Sequence, residues 1–225
     1  MFWDWNYVWE IMPQLLRASV VTIEATLLGF LLAAVLGLVL AILRMSKTSW
    51  ISVPTAAVVE FIRSTPVLIQ IFFIYFVFPE FGIVLPAMVA GVIALGLHYG
   101  AYCSEVYRAG LENVPRGQWE ASTALNLSPY ITFRDIIIPQ AIPPIVPALG
   151  NYLVALFKET PLLSAIAVLE LMQTAKILGS QSFRYIEPIT LVGAFFLVMS
   201  LVAAALIRQV ETWLNRSLRN PGGDR

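Results

Sequence analysis

The sequence predicts an all-α membrane protein with five transmembrane helices, on three observations. Of 225 residues, 59% are hydrophobic and only 12% charged, and the mean hydropathy is strongly positive; this removes the chain from the soluble globular class. Five apolar runs approach or exceed the roughly 20 residues that a helix needs to cross a bilayer. Once those runs are laid out, the lysines and arginines fall mostly on one side.

The N-terminal segment carries Trp3, Trp5, Tyr7 and Trp9 with Asp4 and Glu10. It lacks the basic start of a signal peptide and suits a membrane–water interface, where amphipathic rings settle; residues 1–19 are read as an external interfacial segment. Span one is expected at 20–43, with Glu24 near its outer end and Arg44 and Lys47 after it. Span two, 53–78, contains Glu60, Arg63, Thr65, Pro66 and Gln70, so part of it must face protein or water. Span three, 83–102, contains Gly91, Gly96, His98 and Gly100. Span four, 142–171, is apolar at both ends with Lys158, Glu159, Thr160 and Pro161 in the middle, and is expected to be broken there. Span five, 189–207, has no charge and ends at Arg208. The membrane domain is then 20–211, and a polar tail of 212–225 follows it.

Five spans put the termini on opposite sides, and basic residues favour the inside. With the N-terminus outside, Arg44, Lys47, Arg108, Arg116, Arg134, Arg208, Arg216, Arg219 and Arg225 are internal. Arg17, Lys176 and Arg184 are external, and Arg63 and Lys158 lie within spans. Nine against three places the N-terminus outside and the C-terminus in the cytoplasm. Formal charge is zero, so nothing points to nucleic acid. A single Cys103 excludes an intrachain disulfide and a cysteine metal cluster. Phosphate-loop, zinc-helix and nucleophile-elbow patterns are absent, so no covalent chemistry is expected of this chain.

The stretch 116–140, between spans three and four, is mixed in character. A helix-forming run at 119–127 precedes a break at Ser128 and Pro129, and a second piece at 133–138 is expected to stop at Pro139. A loop that only returns the chain needs no such punctuation; a surface gripped by another protein does. Trp119, Leu125 and Leu127 offer apolar anchors, and Glu120 sits near a helix N-terminus, where its charge is favourable.

Charges inside spans cost about 2.5–3.5 kcal/mol each at a helix centre, so they should be paired or wet. Glu60 and Arg63, three apart, share a helix face and can pair; Glu105 and Arg108 have the same spacing. Lys158 and Glu159 are adjacent, cannot face each other, and need partners elsewhere. Packing, gating and solute contact all remain open for these four span residues. Glu24 reaches the interface, His98 reads as a satisfied core histidine, and Gly91, Gly96 and Gly100 as sites of close helix packing. The break near Pro161 is tolerated only beside protein or a cavity, so spans two and four are read as lining a path.

The order of residues in the mixed stretch resembles a known motif. Glu120-Ala121, the turn residue Asn126, then Ile136, Ile138 and Pro139 are similar to the EAA loop of membrane subunits of ATP-binding-cassette importers. Tyr102, Glu105, Arg108, Gly110, Val114-Pro115, Gly117-Gln118, Leu127-Ser128 and Phe133 fall in the order of the polar amino-acid branch. So do Arg63-Ser64-Thr65-Pro66 with Gln70, and Asn151 with Lys158-Glu159-Thr160. Two departures stand out: Asn126 replaces a usual glycine, though asparagine also enters the left-handed region, and Pro161 replaces a usual serine. With the aromatic N-terminus, these make the chain most similar to permeases assigned to ectoine and hydroxyectoine uptake.

The resemblance implies a multi-pass subunit of the bacterial inner membrane whose coupling loop, about 112–140, docks an ATPase through Trp119, Glu120, Ala121, Leu125, Asn126, Leu127, Ser128 and Pro139. The path or gate would involve Glu60, Arg63, Thr65, Pro66, Gln70, Asn151, Lys158, Glu159 and Thr160. It implies three partners: a cytoplasmic ATPase dimer that holds ATP and magnesium, a second permease chain, and an external solute-binding protein. This chain would bind no cofactor or metal of its own and would not be an enzyme. Two other classes stay open on the residues alone: an ion-coupled carrier using Glu24, Glu60 and Glu159, and a membrane scaffold for an ATPase that moves no solute.

Overall fold

The computed structural model describes residues 3–219, with side chains through residue 213. Among the described residues all regular structure is helical. Helix α1 (Trp5–Arg44) runs for 40 residues, about 60 Å at 1.5 Å per residue, twice the ~30 Å hydrocarbon layer. It begins well before the expected span, for two reasons. Asp4 caps it, accepting from the amides of Asn6 at 2.9 Å and Tyr7 at 3.4 Å. The early turns also have neighbours: the Tyr7 hydroxyl donates to the Leu178 carbonyl at 3.1 Å, and Ile11, Leu15 and Ala18 pack with Leu171, Ala175 and Leu178.

The second expected span is two helices. α2 (Ser49–Ser64) and α3 (Val67–Phe72), the latter continued by a π turn (Phe73–Val77) and a 3-10 turn (Phe78–Phe81), meet at 103°. Pro66 causes the break: its ring drives Thr65 into extended backbone (φ −107°, ψ 138°). Gln70 then closes the corner. Its amide donates to the Ile62 carbonyl at 2.8 Å, the Thr65 carbonyl at 3.2 Å and the Thr65 hydroxyl at 2.7 Å.

Helix α4 (Ala87–Glu112) is the centre of the bundle, with Ala90, Ala94, Leu95, Ala101 and Cys103 fully buried. Next come α5 (Arg116–Ala124) and the single turn α6 (Pro129–Ile131). A π turn (Thr132–Ile137) leads without interruption into α7 (Ile138–Glu159). Pro139 therefore does not end a helix as expected; the wider π turn moves aside the carbonyls that its ring would strike. The break after Glu159 is present as a 3-10 turn, Thr160–Ile166, but the chain does not run straight on to residue 171. Ala167 takes φ 59° and turns it into α8 (Leu171–Ser182), a short helix not foreseen from the sequence. Fully buried Glu170 caps α8, accepting from the amides of Met172 and Gln173 at 2.8 Å each. Burial holds its pKa above the usual carboxylate range, against the opposing effect of those two amides. Finally α9 (Ile186–Arg219) continues past the expected end of span five into the expected tail, of which 220–225 lie outside the described residues.

Among the described residues four helices are long and apolar enough to cross a membrane, and five candidates result if the bent pair α2–α3 is one span. The tightest seam joins α1 to α4. A Cβ built on Gly37 would lie 2.6 Å from Cys103 Cβ and 2.9 Å from the Gly100 carbonyl; one on Gly96 would lie 2.5 Å from the Leu32 side chain. The expected close packing at Gly91, Gly96 and Gly100 is realised, with Gly37 as a partner on α1.

Gly37→Ala should therefore destabilise the bundle by about 1–3 kcal/mol through overpacking, because its obstacles are a backbone carbonyl and a Cβ rather than a flexible tip. Gly117→Ala, with nothing within 4 Å, should leave the melting temperature in detergent essentially unchanged; scanning fluorimetry of the two variants checks the contrast.

Candidate functional site

Two regions gather the residues singled out by sequence. The first is a hairpin at one end of the bundle. Helix α5 ends at Ala124 in a six-residue closure: the Leu127 amide donates to the Ser122 carbonyl and the Asn126 amide to the Thr123 carbonyl, both at 3.0 Å. This is the Schellman arrangement, with Asn126 left-handed at φ 52° in the position glycine usually holds. The asparagine thus forms the turn that the substitution put in question. Ser128 then starts the return, its hydroxyl accepting from the Ile131 amide at 3.3 Å. Trp119 is turned inward, its ring edge-on to Phe133 at 5.1 Å and packed with Val114, Ile137, Ala141 and Ile145. It holds the hairpin to α7, so the outward surface consists of exposed Glu120, Ala121 and Leu125 with Tyr130, while Leu127 is half-buried and Pro139 lies within the helical return.

The second region is a cleft of about 380 Å³ at the α2–α3 corner, lined by Arg63, Ser64, Thr65, Pro66, Val67, Leu68, His98, Tyr102, Glu159 and Leu162. Arg63 lies over the Tyr102 ring at 5.1 Å, and the Tyr102 hydroxyl donates to the Arg63 carbonyl at 3.4 Å. The His98 and Tyr102 rings meet at 5.3 Å, tilted by 54°, and Tyr152 backs Tyr102 at 5.5 Å and Tyr99 at 6.2 Å. Glu159 stands beside Tyr99; among the described residues its Oε2 and the Nε of Arg63 are buried without hydrogen-bond partners, as is Nδ1 of His98. The cleft lining therefore includes a guanidinium, a carboxylate and aromatic rings. Chemically, such a set can accommodate a small molecule carrying both charges.

The structure brings Arg63, Thr65, Pro66 and Glu159 together here. It does not bring the other path residues. Glu60 is exposed and reaches Arg63 only at 3.6 Å. Gln70 braces the corner from behind, Thr160 is buried and donates to the Phe157 carbonyl at 2.8 Å, and Asn151 is exposed on α7. Lys158 does not find the partner expected of it: it lines a separate groove with Val154, Pro161, Phe196, Leu197 and Ser200, and among the described residues it makes no ion pair. His98, read from sequence as a core histidine, lies in the cleft wall. A signal for it existed: His98, Tyr102 and Glu105 are spaced four and three apart and so lie along one face of α4.

Below the cleft, Glu105 is shared by three guanidinium groups. Its Oε1 accepts from Arg44 and from Arg63 at 3.3 Å; its Oε2 accepts from Arg108 Nε at 3.0 Å and Nη2 at 2.9 Å. Arg108 also donates to Glu112 at 2.6 Å. The 105/108 pairing was expected, but the Arg44 and Arg63 contacts were not.

Residues 7–218 match the family model described as the binding-protein-dependent transport system inner membrane component. A probable amino-acid ABC transporter permease of Sinorhizobium fredii is 48% identical over 202 residues, 90% of this chain and 87% of the relative. An L-cystine transport system permease of Bacillus subtilis is 34% identical over 216 residues, 93% and 92% of the two chains. Among solved structures, a chain of an amino acid ABC transporter crystallised with histidines superposes with a TM-score of 0.89 at 34% identity, covering 94% of this chain and 99% of that one.

The hairpin turn makes a direct prediction. Asn126→Gly should preserve it, whereas Asn126→Val, whose branched Cβ resists positive φ, should weaken it by about 1–3 kcal/mol. Limited proteolysis across 124–130 checks this: nicking should accelerate in the valine variant and not in the glycine variant.

Proposed function

The chain belongs to the family of binding-protein-dependent transport system inner membrane components, and from that premise we propose that it carries a small zwitterion through the cleft at the α2–α3 corner, with ectoine or hydroxyectoine as the solute. At the coarser level it is a permease subunit of an amino-acid ABC importer, a multi-pass membrane protein whose relatives work with a separate ATPase. The observation that supports the solute class is that Arg63, Glu159, Tyr102 and His98 line one cleft. A carboxylate would pair with Arg63 and a cation with Glu159. A positive charge delocalised over a ring, as in the amidine of ectoine, gains from lying on aromatic faces. An amino acid with a compact ammonium gains less.

In this reading the N-terminus is external, and the α5 hairpin meets a cytoplasmic ATPase dimer that holds ATP and magnesium. Glu120, Ala121 and Leu125 form its contact surface, positioned by Asn126, Leu127 and Ser128. An external binding protein delivers the solute. The exposed face of α7 and α9 around Lys158 and Asn151 is where a second permease chain closes the path, since a lysine facing lipid at mid-span costs about 2.5–3.5 kcal/mol. The remaining path residues serve the gate: Gln70 and Thr65 set the corner, and Glu60 and Thr160 flank it.

The test is ATP-dependent uptake of labelled ectoine by liposomes holding the permease with its ATPase and binding protein. Uptake should be competed by hydroxyectoine and not by glutamine or cystine; the reverse competition would return the solute to the ordinary amino acids. Glu159→Gln should lower uptake tenfold or more with the complex intact. Glu120→Arg should leave insertion and assembly unchanged but separate ATP hydrolysis from uptake, and undiminished uptake there would remove the coupling role.

A further inference from the structure

We propose that Glu105 is a positioning residue that ties the docking hairpin to the cleft, an inference that rests on the transport reading above. Three elements end at this one carboxylate. Arg44 is the last residue of α1, Arg63 lies just before the break at 64–66, and Arg108 belongs to the final turn-and-a-half of α4 before the chain enters α5. Both carboxylate oxygens are engaged, and Glu105 and Arg44 are largely withdrawn from solvent, with 21% and 17% of their side chains exposed. Of the three guanidinium groups, Arg108 alone has a second carboxylate within hydrogen-bonding distance, Glu112 at 2.6 Å, while Arg63 meets Glu60 only at 3.6 Å.

The consequence is mechanical as well as electrostatic. Helix α5 joins α4 through only three residues, 113–115, and α4 carries both Glu105 and Tyr102. Those two side chains hold Arg63 from two directions, Glu105 at its guanidinium and Tyr102 at its ring face and carbonyl. A shift of the lower end of α4 therefore displaces Arg63, and with it the backbone at 64–66 that forms a wall of the cleft. Without the negative charge, Arg44 and Arg63 lose their main counter-ion and repel each other at short range, less screened than in water. Arg63 is then released from α4, and the corner no longer follows it.

The experiment uses the assembled permease–ATPase complex with Ser64→Cys as a reporter; the native Cys103 is fully buried and does not compete for a thiol reagent. Labelling of Cys at 64 is compared with and without ATP trapped by vanadate, alongside ATP hydrolysis with and without solute-loaded binding protein. With Glu105 present, trapping should change the labelling rate at least fivefold. With Glu105→Gln, the complex should still hydrolyse ATP, but both the labelling response and the stimulation by loaded binding protein should fall to less than twofold. Glu105→Asp, which keeps the charge on a shorter arm, should restore part of both. A full labelling response in Glu105→Gln would overturn the role of Glu105 while leaving the transport reading intact. No response in the unsubstituted reporter complex would overturn both. Size-exclusion chromatography precedes the assay; failure of both the glutamine and aspartate variants to assemble would overturn the proposal by making Glu105 a residue of the fold alone.

Discussion

The seam between α1 and α4 is the contact on which the remaining geometry rests. Gly37 lies against Cys103 and the Gly100 carbonyl, and Gly96 against Leu32, with no room for a Cβ at either. In a bilayer, lipid tails are as apolar as leucine, so helices associate through such close approach rather than through burial. The seam fixes the rotation and height of α4. His98, Tyr102 and Glu105 sit along that helix, so their meeting with α2, α7 and the end of α1 follows from it.

Around this rigid pair the chain is irregular in a few places. Pro66 opens the α2–α3 corner, the 3-10 turn at Thr160–Ile166 follows Glu159, and Ala167 turns left-handed. Irregular backbone at membrane depth survives where protein or a cavity receives its polar groups. Two of these departures border the cleft directly, bringing Arg63 and Glu159 into its lining. The third redirects the chain into α8, which packs on the first turns of α1 through Tyr7 and Ser182, while the Asp4 amide donates to Glu187 at the start of α9 at 3.2 Å. The breaks are thus where the polar chemistry concentrates, while the continuous helices hold them in place.

The α5 hairpin illustrates how one residue can serve structure where function was expected. Trp119 is the largest apolar group of the stretch and invites assignment as an anchor for a partner, yet it is turned against Phe133 and the start of α7. That inward packing fixes the hairpin to the bundle. Lys158 presents the opposite case, a charge expected to be paired within the chain that instead faces outward between α7 and α9.

Properties carried by composition and by spacing along one helix were legible in the sequence. The membrane class, a helix within the mixed stretch (expected at 119–127 and found at 116–124), the left-handed Asn126, the break after Glu159 and the pairs 60/63 and 105/108 belong to this group. Each depends on local backbone preference or on the three- and four-residue period of a helix, which neighbouring residues set by themselves. Contacts between helices belonged to the tertiary structure. Arg44 meets Glu105 across 61 positions, Arg63 meets it across 42, and Arg184 meets Asp4 across 180. The 103° corner and the aromatic cluster of Tyr99, Tyr102 and Tyr152 were likewise decided there. A sequence shows which residues share a face of a helix, but the rotation and axial shift of one helix against the next come from which small residues let their backbones touch.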